Sequence, residues 1–214
     1  MPTLDTMRPL ALSDAQQAAL DMLMSRHSPW PLTEPAPSAP ELDLVFRAAL
    51  RAPDHGQLRP WRFIVIRGDA RHALAKVFAR AAREREPDGN AERFASKALS
   101  APVLIALGAR IVHGHKVPAS EQVLAVAAGA MNMLNALHVL GYGGFWASGL
   151  NSRDPLVRRE LGLDAGDELI GFLYVGTPKD RSDHGASRPE PDVCVSEWTG
   201  PAVSASFTDA ESSP

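Results

Sequence analysis

The feature that most constrains this chain is the apolar stretch Val123 to Leu140. Only Asn132, Asn135 and His138 interrupt it, and Gly and Ala are frequent. A stretch of this length is barely long enough to cross a bilayer, and three polar side chains would be costly there. It reads instead as a helix buried in a core or a subunit interface. The helix is expected over Ser120 to Leu140, running about 30 Å at the standard rise.

The segments around it alternate in type. Ser13 to Arg26 reads as a helix, with Ser13 as cap, Gln16 and Gln17 after it, and Leu20, Leu23 and Met24 at helical spacing. Ser28-Pro29-Trp30-Pro31 stops it. Ser38 to Arg51 is a second helix, with Pro40 in its first turn and Leu42, Val45, Phe46, Ala49 and Leu50 as its apolar stripe. Ala52 to Pro60 is a loop. Arg62 to Arg67 is a strand with Phe63 to Ile66 as a buried run. Helices follow over Asp69 to Arg85 and Ala91 to Leu99, then a buried strand over Val103 to Ala109. After the long helix come a strand over Gly141 to Ser148, a short helix over Pro155 to Leu161 and a strand over Glu168 to Val175. From Thr177 the chain reads as an extended arm. Helices come first, then strands separated by helices of uneven length, which predicts an α+β sandwich.

Composition sets limits on partners. The chain has 214 residues, 45% hydrophobic and 22% charged, with net charge -3, so neither nucleic acid nor an anionic membrane is the expected partner. A single domain is expected over 13–199, with flexible extensions at 1–12 and 200–214. Cys194 is the only cysteine, so no intramolecular disulfide forms. Met1 to Leu12 lacks the apolar region of a signal peptide. Both observations point to a cytoplasmic protein.

Several chemistries lack their motifs. No G-x-G-x-x-G follows a strand, since Gly141-Tyr142-Gly143-Gly144 ends a helix instead. There is no P-loop and no G-x-S-x-G elbow. His113 and His115, with Glu121 nearby, are weak metal candidates, and two solvated histidines are the favoured reading, so no metal site is expected. Four constellations remain. Arg26-His27-Ser28 offers a planar fork and a short hydroxyl to a phosphate or sugar, against a solvated helix end. Arg51, His55 and Arg59 project from a loop stiffened by Pro53 and Pro60, an anion cradle or a plain basic loop, with Trp61 plugging the core. Lys116 places a cation just before the long helix. Gly141 to Gly149 lets backbone approach a flat ring, with Trp146 over it and the Ala147 and Ser148 amides at its edge; the competing reading is a tight turn with Trp146 in the core. Cations for a phosphate together with glycines and aromatics for a flat ring suit a flavin mononucleotide.

In this order the motifs resemble the nitroreductase family, and within it the compact bacterial members. The likeness runs from about Leu20 to Pro178. It rests on Arg26-His27-Ser28, Arg51-Ala52-Pro53-Asp54-His55, Pro60-Trp61, His115-Lys116-Val117-Pro118, Gly141 to Gly149, and Gly171-Phe172-Leu173-Tyr174-Val175-Gly176-Thr177-Pro178. The resemblance implies an α+β sandwich with a central, mostly antiparallel sheet flanked by helices. It implies a homodimer with the long helix in the interface, the C-terminal arm exchanged, and FMN between the chains. Arg26, His27 and Ser28 would hold the phosphate and ribityl side, Arg51 and His55 would reach the flavin from the other subunit, and Trp146, Ala147 and Ser148 would line the ring. Ala136 to Gly141 aligns with a segment associated with nicotinamide nucleotide binding.

The implied activity is an NAD(P)H-dependent FMN oxidoreductase. It transfers hydride from NADH or NADPH through flavin N5 to a nitroaromatic, a quinone or a similar small electron-poor acceptor, in two steps. The alternative is a flavin-binding storage or regulatory protein with little turnover. The chain departs from the family pattern where a basic residue often follows the serine, here Trp30 and Pro31. It departs again at Arg59, where the family often has Gln, and at Gln57, where it often has Asn. Arg51 or Lys116 is then expected to supply the cation at the flavin N1 edge.

Overall fold

Two serines start the first two helices. Helix α1, Asp14–Ser25, is capped by Ser13, whose hydroxyl accepts from the Gln16 amide while the Gln16 side chain accepts from the Ser13 amide. Helix α2, Ala39–Ala49, repeats this capping box with Ser38 and Glu41. Hydrogen bonds from Ser38 hold the Glu41 carboxyl below its ordinary range. The computed structural model describes residues 11–180, 187–198 and 200. Most of the expected terminal extensions, 1–12 and 200–214, therefore lies outside the described residues. The chain forms two compact units, Met1–His184 and Gly185–Pro214. In the second unit the short helix Pro191–Cys194 precedes Trp198, which is 77% exposed.

The larger unit is built on an antiparallel sheet. Its strands are β1 (Leu32–Thr33), β2 (Trp61–Arg67), β3 (Val103–Ala109), β4 (Gly143–Ala147) and β5 (Glu168–Pro178). β2 pairs with β3, β3 with β5, and both β4 and β1 with β5. Every residue of β3 is buried, because the sheet is covered on both faces. Leu104, Ala106, Phe172 and Tyr174 face helix α3, Asp69–Arg85, where Phe78 meets Phe172 edge-on at 5.3 Å. The alternate residues Val103, Ile105, Leu107, Leu173 and Val175 face α2 and the long helix α5, Ala119–Val139.

Three expectations change. β2 is not a buried run: it lies at a sheet edge, only Ile66 is buried, and Val65 is exposed. An edge strand has a neighbour on one side only, so it escapes the two-sided cover that β3 receives. The helix expected over Ala91 to Leu99 is α4, Ala91–Ala95, followed by a 3-10 turn over Ser96–Leu99. β5 runs through Gly176 to Pro178, where Thr177 and Pro178 pair with β1. Two further short helices, α6 (Leu150–Arg153) and α7 (Pro155–Glu160), connect β4 to β5.

α5 fills the sheet's second face along one stripe, with Gln122, Ala125, Val126, Gly129, Ala130, Met133, Leu134 and Leu137 buried. Gly129 leaves room for Trp61, whose indole donates to the Ala125 carbonyl at 2.9 Å. By length and composition α5 is apolar enough to cross a membrane, but 44% of that window is buried inside the fold. Another stripe is bare: Leu124 is 63% exposed, Val139 64%, and Met131 is exposed as well. α1 buries no side chain, so Leu20, Leu23 and Met24 are also exposed.

Candidate functional site

The first two constellations lie at opposite ends of α5. At its C-terminal end α1 packs close, with Ser25 Oγ and His138 Nε2 3.0 Å apart. Arg26 Nη1 donates to the His27 carbonyl at 2.9 Å, while Ser28 is exposed. His27 Nε2 is buried with no hydrogen-bond partner. A cavity of about 250 Å3 opens beside it, lined by His27, His138, Tyr142 and Gly144 among others. Burial, then the neighbouring charges of His27 and Arg26, push the His138 pKa below its ordinary value, so His138 is neutral at pH 7. Ala136 to Gly141 forms the last turn of α5 and its exit, so this segment lies beside His27.

At the N-terminal end two loops pack together. Gly56 lies against Val117 and His115, which brings the loop of Arg51 and His55 next to that of Lys116. His55 Nδ1 pairs with Glu121 Oε2 at 2.5 Å, and Arg51 and Lys116 are exposed. Pro53, His55, Glu121 and Leu124 line a cavity of about 300 Å3 on this flank. On the other flank Ser148 joins Ser120, Val123, Arg153 and Glu168 around a cavity of about 510 Å3. Gly149, next to Ser148, has open space where a side chain would stand.

β4 runs between the two ends, roughly 15 Å at the usual strand rise. The structure therefore sets His27 beside the start of β4, with Trp146 and Ala147 at its far end and Ser148 just beyond it. It does not bring Arg51, His55 or Lys116 to Arg26: at the helical rise, roughly 25 Å of α5 separates Glu121 from His138. The indole of Trp146 donates to the Ile170 carbonyl at 3.4 Å and packs on Gly171, so its ring is engaged within the sheet. Gly171 sits at φ 153° opposite a register shift in β3, and a Cβ there would meet the indole.

The departures from the family pattern have a structural counterpart. Trp30 lies on Phe145 and Tyr174, with ring centroids 5.2 and 5.8 Å away, so an aromatic cluster stands where a basic residue is usual. Burial raises the Tyr174 phenol to about 12, so it stays neutral. Gln57 and Arg59 both adopt left-handed backbone, φ 53° and 51°, with the Arg59 amide donating to Asp54 Oδ2 at 2.8 Å. Each such residue costs about 1 kcal/mol or more, and loops keep such strain where it serves a site. His113 faces the Gly166 carbonyl, and His115 Nδ1 accepts from the Val117 amide. Among the described residues no three His, Cys, Asp or Glu side chains converge as metal ligands. His138, Tyr142, Arg153 and Glu168 were not singled out from the sequence. His138 had a signal, as a polar interruption of the apolar helix, and Tyr142 lay within the Gly141 to Gly149 constellation; Arg153 and Glu168 had none.

Known proteins resemble this chain in sequence and fold. The profile of the nitroreductase family matches residues 23–177. The Escherichia coli protein YdjA, whose name provisionally makes it an NAD(P)H nitroreductase, is 36% identical over 178 residues, covering 83% of this chain and 97% of that protein. A nitroreductase-like protein from Bacillus cereus has the same fold, with TM-score 0.75 and 22% identity over 91% of this chain and all of that one. So has a Desulfovibrio desulfuricans protein crystallised with FMN, with TM-score 0.64, 22% identity and the same coverage. With the antiparallel sheet, the long core helix and the ordered motifs, these matches establish that the chain belongs to the nitroreductase family.

Proposed function

We propose that this protein is an FMN-dependent oxidoreductase, working as a homodimer, that passes two electrons from NADH or NADPH to a nitroaromatic, quinone or similar acceptor. For a nitro group the balance is Ar–NO2 + NAD(P)H + H+ → Ar–NO + NAD(P)+ + H2O. FMN, when bound, supplies the two-electron relay between the nicotinamide and the acceptor. The chain's residues fit that group. His27 Nε2 is a buried polar atom without a protein partner, and with Nδ1 facing the Ser25 carbonyl it is free to accept from a ribityl hydroxyl. β4 spans the distance from a phosphate cradle at Arg26 and Ser28 to open backbone at Ser148 and Gly149, where a flat ring has room. Arg51 or Lys116 balances negative charge at the ring's N1 edge.

The observation that carries this reading is the division of the candidate residues between the two ends of α5. A two-fold axis that sets α5 antiparallel to its copy brings the His55 end of one chain to the His27 end of the other. The bare stripe of Leu124, Met131 and Val139, with the exposed face of α1, is the apolar surface such a pairing covers. The exposed Val195 and Trp198 supply apolar side chains for an exchanged arm.

Purified protein is expected to be yellow and to release FMN on denaturation. It should also oxidise NADH or NADPH at a rate that depends on added nitroaromatic or quinone. Flavin that is bleached by NAD(P)H without reduction of any acceptor would favour the storage reading. A protein that binds no FMN when flavin is supplied would overturn both.

A further inference from the structure

The cavity of about 510 Å3 beside Ser148 is in the size range of small-molecule sites. Its walls carry two opposite charges, Arg153 at the end of α6 and Glu168 at the start of β5. Neither side chain makes an ion pair or hydrogen bond with any described residue, although both line the same space. The backbone under each charge is held firmly. Asn151, Ser152 and Asp154, which flank Arg153, are buried, and Ser152 Oγ donates to the Gly149 carbonyl at 2.9 Å. Asp167, next to Glu168, is buried and accepts from the Ile111 and Asp164 amides at 3.2 Å. Val123, Leu169 and Ile170 add apolar lining to the same cavity.

We propose that this cavity is the acceptor subsite and that Arg153 and Glu168 select a bipolar aromatic, with the carboxylate on Arg153 and the ammonium on Glu168. The proposal rests on the oxidoreductase reading, because Ser148 ties the cavity to the ring-lining backbone. The chemistry is that of an amino-acid-like ligand: two charges of opposite sign on anchored backbone match a zwitterion, while the apolar lining covers its ring. A neutral aromatic leaves both charges unpaired as it displaces water from them, and so binds less well. The electron balance is the one given above, with NAD(P)H as reductant and the nitro group of the ligand as acceptor.

The test compares 4-nitrophenylalanine with its neutral N-acetyl amide, which carries the same nitro ring. With FMN-loaded enzyme and NADPH or NADH, kcat/KM is expected to be at least about tenfold higher for the zwitterion. Arg153→Gln and Glu168→Gln should each remove about tenfold of it through KM, so that the preference for the zwitterion over the neutral amide collapses. Equal use of the two compounds by the native enzyme, or equal losses on both in the variants, overturns the proposal. If neither compound is reduced, turnover of a quinone or a simple nitroaromatic decides the oxidoreductase reading separately, and calorimetry with 4-nitrophenylalanine decides the cavity. Binding that Arg153→Gln abolishes supports the bipolar site, and no binding to the native protein overturns it.

Discussion

The two ends of α5 differ in how they handle polar groups. At the C-terminal end, His27 and His138 line a small cavity, one imidazole nitrogen is buried without a partner, and His138 is held neutral. At the N-terminal end, Arg51, His55, Lys116, Arg153 and Glu168 stand in solvent around wider cavities. Buried polar groups fix a ligand's position because their desolvation is recovered only when the right partner arrives. Exposed charges on firm backbone tune potential and selectivity at smaller cost. On the function proposed above, the C-terminal end retains the cofactor, and the N-terminal end sets potential and substrate choice.

The sharpest way to break this contrast is to keep the ends apart. Leu124→Asp combined with Met131→Asp puts carboxylates on the bare stripe of α5, where a paired copy would bury them at several kcal/mol each. Light scattering should find a folded monomer, and the monomer should no longer retain FMN. A variant that remains dimeric would place the interface elsewhere. Next in size, Arg26→Ala is expected to weaken FMN binding roughly 10- to 100-fold in a fluorescence titration, the loss of one charged hydrogen bond. Arg51→Ala should leave affinity within a few-fold but lower the flavin potential by about 30 mV, equivalent to about 1.4 kcal/mol for two electrons. If Lys116→Ala does this and Arg51→Ala does not, the N1 cation is Lys116.

The smallest effect concerns pH. His138 takes a proton less readily in the native state than at its ordinary 6.5, so below that value the unfolded chain binds more protons. Stability is therefore full above pH 6.5 and declines as pH falls from 6.5 through the lower native value. His138→Gln should remove this part of the slope. Melting temperatures at pH 7.5 and 5.5 should lie closer together in the variant than in the native protein.

Local chemistry made much of the fold readable. Ser13 with Gln16 and Ser38 with Glu41 mark helix starts because a capping box needs only four consecutive residues. The unbroken apolar run of β3 marks a strand covered on both faces. The motifs from Arg26 to Pro178 carried the family, since their order depends on nothing beyond the chain itself. β1 was not readable, because two residues become a strand only where the end of β5 lies beside them. The exposure of β2 was equally hidden, as an edge is a property of the sheet and not of the strand.

The long apolar helix shows both sides of this division. By itself the sequence determined that Val123 to Leu140 would be helical and buried by something, because the cost of exposing that much apolar surface is a property of the residues. Only the tertiary structure decided which stripe the sheet covers and which stays bare for another surface, and it alone joined Arg153 to Glu168 around one cavity. The physical reason is that hydrophobic burial has no direction, whereas the positions of charges around a cavity depend on how β5 returns beside β4 and α6.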